Sequence, residues 1–580
     1  MQERKPEASR KDRKWPTSSA GAFLILAAVF LLLHIPFLNQ AFIIDDGNFI
    51  DQALQIVKNP LGPYSFNIHL KQVQDFFEYF ANPPGFAYYL AAMIKVFGHS
   101  EVAMHSVCLI FSAMALLSMY VLSHEMTGNG LYGALLLLVT PTFLLSSHTV
   151  MPDIAAMAFY VLAILLFMRG MDRDDPRLFI AAGIAAGTSA LLKYSGLTSL
   201  PLLIFFWVLY PARRRLPALT FMVAGFIFGA WCIASYMIYG KVHFYTMLVY
   251  ESAPYPMLLK GIQGVAGLIG VGGATVFPLI LALWSILSSF ALSSVSGWLT
   301  LIAATVGFAA ALPTYASLPF LVYDPVNRMI GAFLLSAGCS ALMFVLSCGI
   351  HSLIDYLGAM RSKDICRRIS SARSLLLVCW FVGIQILNIR LLFTTPKYLV
   401  LGLPSLILLL LGVSTDTRRV FASFQTWQKV GTLILAAALS VSLSVVDRAY
   451  GNSHKRFIYE TLPARYGSHD IWFNGHWTIR YYSEKMGYHY LGTELSKESN
   501  PASGDIVFVV AEAAQHDIPP ALVPRLIYVG RENVFPPLPV LTTSIIARAG
   551  YWCHGLGVLP YVFTDMPLCT FVIYRVRPER

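Results

Sequence analysis

Long apolar runs separated by short polar loops take up most of the chain. The first is residues 20–38, and others follow at 102–123, 130–147, 154–169, 178–192, 197–210, 217–239, 263–289, 298–322, 329–350, 374–391, 398–414 and 429–446. Measured against a ~30 Å hydrocarbon core, the pattern predicts about thirteen transmembrane helices. Residues 20–38 are longer than a usual signal-peptide core and lack a small-residue cleavage site, so they are expected to stay as a membrane anchor.

Two stretches break the pattern. Between the first two runs, residues 41–100 form a long loop in which Asn82-Pro83-Pro84 opens an amphipathic segment, 85–97, predicted as a helix lying in the membrane interface. Beyond residue 447 apolar and polar positions alternate over shorter distances. Residues 505–510, 525–530 and 571–576 are expected as strands and 477–486 as a helix, which predicts a small C-terminal α/β domain.

Composition supports a membrane protein: 56% of residues are hydrophobic and 13% charged, where soluble domains carry about a quarter charged. The net charge of +11 is scattered over short loops and not gathered on one face, so topology explains it and no nucleic-acid partner is expected. Arg4, Lys5, Arg10, Lys11, Arg13 and Lys14 hold the N-terminus in the cytoplasm by the positive-inside rule. Arg169, Arg173, Arg177, Arg213 to Arg215, Arg361, Lys363, Arg367, Arg368, Arg373, Arg418 and Arg419 then also fall inside. The division expected is a cytoplasmic basic tail at 1–19, a transmembrane region at 20–447 with its outer loop at 41–100, and a soluble extracytoplasmic domain at 448–580. The host membrane would be the inner or plasma membrane, with membrane lipids as neighbours. Cys553 and Cys569 fall in the outer domain, where a disulfide between them could persist.

Acids at the outer mouths of membrane spans are costly unless they have work to do. Asp45 and Asp46 emerge just after the first run, and Asp153 follows Met151-Pro152 at the outer end of the third. Each could start a helix, but two acids in series exceed what one cap needs. On the same face lie Lys193, Arg328, Arg390 and Lys397, the last beside Tyr398, which together suit an anionic ligand. His148 also falls there. No paired metal motif, phosphate-binding loop, dinucleotide fingerprint or nucleophile elbow occurs.

In order and topology these motifs resemble the GT-C superfamily of polytopic glycosyltransferases, in the branch of protein O-mannosyltransferases and bacterial lipid A aminoarabinose transferases. The resemblance spans about residues 20–415. Asp45-Asp46 stands where that branch has an acidic pair, Asn82-Pro83-Pro84-Gly85 lies in the first outer loop, and Met151-Pro152-Asp153 follows the third span. Leu191-Leu192-Lys193-Tyr194 and the segment from Pro396 to Pro404 resemble its lysine and arginine-tyrosine elements. Asp46 replaces a common Glu, Asn82 a Lys of some relatives, and Lys397 an Arg. The last matters because Lys lacks the bidentate fork of Arg.

The resemblance implies a GT-C fold and transfer of a sugar from a polyprenyl-phosphate donor to an acceptor hydroxyl on a lipid, a cell-surface glycan or a protein, with inversion. Asp45 would be the general base, and Asp46 and Asp153, the other catalytic residues, would orient the acceptor or tune that base. Lys193, Arg390, Lys397 and Tyr398 would bind the donor phosphate, and Asn82, Pro83, His148 and Arg328 would line the substrate pocket. Relatives of this kind are metal-independent, so no cofactor is expected, although three acids could hold a hard divalent cation. The alternative from another class is a transporter or flippase of a lipid-linked or anionic substrate.

Overall fold

The computed structural model describes residues 19–580 except 71, 212–214, 252–256, 277–301, 303–305, 307–308, 310–323, 392–393, 413–424, 496–498, 512–517 and 579–580. The basic residues of the N-terminal tail, Arg213, Arg214, Arg418, Arg419 and all of the run at 298–322 but residues 302, 306 and 309 lie outside the described residues.

Seven described helices are long and apolar enough to span a membrane: Ala20–Phe37, Glu101–Thr127, Pro152–Arg173, Ala218–Tyr239, Pro325–Ser362, Ile365–Arg390 and Thr426–Tyr466. The protein is therefore a multi-pass membrane protein. An eighth span is broken. Gly130–Val139 and Pro141–Ser147 meet at 68°, because Pro141 supplies no amide hydrogen and its ring crowds the preceding turn. Other expected runs form shorter apolar helices: Gly85–Phe97, Pro176–Leu192, Tyr194–Leu209, Gly261–Gly273 and Pro396–Leu410. Between the second and third of these, Lys193 adopts an extended conformation (φ −154°, ψ 134°) and breaks the helix. Such non-helical backbone is tolerated in a membrane protein where the protein itself surrounds it.

The first outer loop folds onto the helical core. Helix Asp46–Lys58 packs on Gly85–Phe97 through Phe49, whose ring lies 4.8 Å from Phe80 and 5.5 Å from Phe86. Gly85 is required where it stands, since a Cβ there would lie 2.5 Å from the carbonyl oxygen of Leu191. That close approach seats the start of Gly85–Phe97 against the end of Pro176–Leu192.

The C-terminal part holds a five-stranded mixed sheet in the order His489–Tyr490, Ile471–Asn474, Ile506–Val510, Cys569–Val576, Leu526–Val534. The first three strands are parallel, and Cys569–Val576 runs antiparallel to both of its neighbours. The expected helix is Thr478–Lys485. Phe571 stacks on Phe457 at 3.8 Å between ring centres, so the sheet rests on the continuation of the last long helix. That helix, Thr426–Arg456, runs unbroken through residue 448. Neither Cys553 nor Cys569 is in a disulfide. The Cys569 sulfur lies 3.3 Å from the Ser453 hydroxyl and 3.8 Å from the His454 ring, so no bridge joins the two cysteines.

A set of charges fastens sheet to loop. Arg480, 3% exposed, donates to Asp51 at 2.8 Å, Glu484 at 2.7 Å and Asn48 at 2.9 Å. Glu101 accepts from Lys455 at 2.5 Å and from the Tyr482 hydroxyl at 2.9 Å, and the Tyr482 oxygen accepts the Phe42 amide at 2.8 Å. Removing one partner of a buried pair leaves the other charge uncompensated, at about 3–5 kcal/mol. Arg480→Met is therefore expected to lower the melting temperature of the detergent-purified protein markedly and to speed proteolysis between loop and sheet. An unchanged melting curve would show that this clamp contributes nothing.

Candidate active site

The chain reverses just before the two aspartates. Ile44 sits in the left-handed region at φ 49°, an uncommon conformation for a β-branched residue. The turn it makes is closed twice: the Asp46 amide donates to the Ile43 carbonyl at 3.0 Å, and the Ile43 amide donates to Asp46 Oδ2 at 2.9 Å. Asp46 Oδ1 accepts the Val150 amide at 2.8 Å. One fully buried carboxyl thereby ties the loop after the first span to the turn that carries Asp153. Burial pushes the Asp46 carboxyl up to about 8, against the pull of its two backbone donors.

Asp45 is the helix N-cap residue but its side chain caps nothing. Its Oδ2 instead meets Lys397 Nζ at 3.3 Å, and its side chain keeps 28% exposure. Lys397 Nζ also lies 3.7 Å from the Met151 sulfur. Asp153, in the first turn of Pro152–Arg173, accepts from Lys193 Nζ at 2.5 Å. Both ammonium groups face the ring of Tyr398, Lys193 at 4.3 Å and Lys397 at 5.6 Å from its centre. Two acids, two lysines and a tyrosine from four separate segments thus form one alternating cluster. Asp153, Lys193, Lys397 and Tyr398 line a cleft whose remaining wall includes Ile384, Leu387, Leu391 and Leu401.

Other sequence candidates lie elsewhere. Arg390 is exposed at the last residue of Ile365–Arg390. His148 is buried, its ring stacked on Phe37 at 4.3 Å and its Nε2 3.1 Å from the Leu33 carbonyl, so it joins the first span to the broken one. Arg328 is half-buried next to Asn327, which bonds the backbone of Phe563 in both directions at 2.7 and 2.8 Å. The Asn82 carbonyl accepts the Tyr64 hydroxyl at 2.5 Å, and Pro83 is buried beside it. Among the described residues no group of three His, Cys, Asp or Glu side chains could hold a metal ion.

The C-terminal domain reaches this site through residues that the sequence pattern does not mark. The Trp552 ring lies 6.0 Å from Lys397 Nζ, and its indole N–H donates to buried Asp447 at 3.0 Å. Asp447 also accepts the Thr542 hydroxyl. The His554 Nδ1 accepts the Thr394 amide at 3.0 Å, two residues before Pro396. An acid at the end of the last apolar run could have drawn attention to Asp447. Nothing in the sequence singles out Trp552.

Residues 81–239, which include Asn82, Asp153 and Lys193, match the family described as dolichyl-phosphate-mannose-protein mannosyltransferase. The match covers the first outer loop's helix and the spans that carry Asp153 and Lys193. No curated protein sequence matches. Among solved structures, ArnT from Cupriavidus metallidurans in the apo state is 13% identical with a TM-score of 0.44, over 96% of this chain and 98% of that one. The same protein bound to undecaprenyl phosphate is 14% identical with a TM-score of 0.43, over 89% and 97%. The archaeal oligosaccharyltransferase AglB from Archaeoglobus fulgidus, in complex with an inhibitory peptide and a dolichol-phosphate, is 13% identical with a TM-score of 0.47, over 85% and 66%.

Because Asp46 titrates higher folded, at about 8, than an ordinary Asp at about 3.9, the folded state binds the extra proton between those values. The stability this contributes is complete below about 4 and lost as pH rises through about 8. Asp46→Asn, which cannot titrate, is expected to remove that part of the pH dependence. Melting temperatures of both proteins across this range check it, and a constant difference between them would contradict it.

Proposed function

We propose that the protein transfers a sugar from a polyprenyl-phosphate donor to an acceptor hydroxyl of a lipid, cell-surface glycan or protein at the outer membrane face, with inversion. The observation that carries the proposal is the pair Lys193 and Lys397 over one Tyr398 ring, each neutralised by a single carboxylate. Two cations beside a family match for lipid-phosphate-dependent mannosyl transfer suit a phosphate leaving group. The solved relatives bound to undecaprenyl phosphate and dolichol-phosphate fit a lipid carrier of this kind.

In this reading the donor phosphate displaces Asp45 from Lys397, which leaves the Asp45 carboxylate free to accept a hydrogen bond from the acceptor hydroxyl. Asp45 takes the proton of the acceptor hydroxyl as its oxygen attacks the anomeric carbon. The bond from that carbon to the phosphate oxygen breaks, and the electron pair leaves on the lipid phosphate between the two lysines. Asp153 holds Lys193 in place, and Asp46 positions Asp45 through its two backbone bonds. The N-terminus lies in the cytoplasm of an inner or plasma membrane, and the sheet domain lies outside.

Purified protein incubated with radiolabelled polyprenyl-phosphate sugars and membrane extract is expected to release polyprenyl phosphate. Asp45→Asn lowers turnover by about 10²–10⁴-fold, the usual contribution of a positioned base, while donor binding persists. Full activity of that variant would sink the assignment. Lys397→Met is expected to weaken donor binding and raise KM. Passage of donor across liposomes without release of lipid phosphate would point to a flippase instead.

A further inference from the structure

Asn388 lies in the last turn of Ile365–Arg390 and is 1% exposed. It lines the same cleft as Asp153, Lys193, Lys397 and Tyr398, as does Ser195. Its backbone carbonyl accepts the Thr394 hydroxyl at 3.2 Å. Both polar atoms of its side chain, Oδ1 and Nδ2, are buried with no hydrogen-bond partner, and so is the Ser195 hydroxyl. A buried amide with neither end paired is costly, and native proteins keep few of them. Its position on the wall of a charged cleft supplies a reason: a ligand completes it.

The chemistry of an amide narrows that ligand. Oδ1 needs a donor and Nδ2 an acceptor. An ionised phosphate offers acceptors only, and a lipid tail offers neither. An ammonium group offers donors only and would enter beside Lys193 and Lys397. A hydroxyl offers both, and adjacent hydroxyls of a sugar ring can pair both ends of the amide together. The rest of this wall, Ile384, Leu387 and Leu391, is apolar, so the few polar groups set orientation.

We infer that Asn388, with Ser195, is a specificity-determining contact that reads hydroxyl groups of the transferred sugar and favours a neutral sugar over an amino sugar. This rests on the proposed transfer from a polyprenyl-phosphate donor. It adds which part of the donor is read, and by what.

The test compares undecaprenyl-phosphate-linked mannose, glucose, galactose, arabinose and 4-amino-4-deoxyarabinose as donors, with monodeoxy analogues of the best one. Wild type, Asn388→Leu and Asn388→Asp are assayed, and binding of undecaprenyl phosphate alone reports folding. The best wild-type donor is expected to be neutral, and loss of the hydroxyl read by Asn388 lowers its kcat/KM by about 10- to 100-fold. Asn388→Leu loses a similar factor with the full donor and no longer separates it from that deoxy analogue. Asn388→Asp, which accepts but does not donate, shifts preference toward the amino sugar. Wild-type discrimination retained in both variants, or an amino sugar as the best donor, would overturn the inference. If both variants fail to bind undecaprenyl phosphate, the wild-type donor series still decides between neutral and amino sugar. Release of lipid phosphate from none of the donors by wild type would instead overturn the transfer reading and the inference with it.

Discussion

Two lysine ammonium groups held against one tyrosine ring are the constraint on which the rest of this structure depends. Like charges brought together away from water repel, and each gives up hydration that a protein interior does not replace. The arrangement exists because Asp153 meets Lys193 and Asp45 meets Lys397, and because the ring face of Tyr398 attracts both cations. Every segment that carries one of these five side chains must therefore converge. The helix break at Lys193, the turn at Ile44 and the short helix starting at Pro396 are the local means.

Asp46 shows how the convergence is held. Its carboxyl accepts one amide from its own turn and one from Val150, so the distance between the first outer loop and the Asp153 turn is set by hydrogen bonds and not by packing alone. Gly85 against Leu191 does the same on the other side by close approach. Contacts of this type fix geometry better than apolar burial, which is non-directional.

The sheet domain is part of the same arrangement. Arg480 and Tyr482 clamp it to the loop after the first span, while Trp552 stands over Lys397 and His554 takes the amide of Thr394. The indole of Trp552 is aimed by Asp447 on the last long helix. Lys397 is thus flanked both by the helices that line the cleft and by a loop of the C-terminal part.

Apolar run length determined a polytopic membrane fold from the sequence by itself, because a hydrocarbon core demands a minimum span whatever the neighbours are. Asp45, Asp46, Asp153, Lys193 and Lys397 were legible for a related reason: a charge at the end of an apolar run is expensive enough to stand out. Which charges face one another was decided only by the tertiary structure. Arg390 and Asn388 stand two positions apart on one helix, and a helix turns about 200° over two residues. The conspicuous arginine points to the exposed side and the neutral asparagine into the cleft. Trp552 and His554 come from a segment far along the chain, brought to the site by pairings among residues that look ordinary in sequence. Helical phase and long-range docking leave no local trace in composition, so the side chains that complete the site could be found only once the chain was folded.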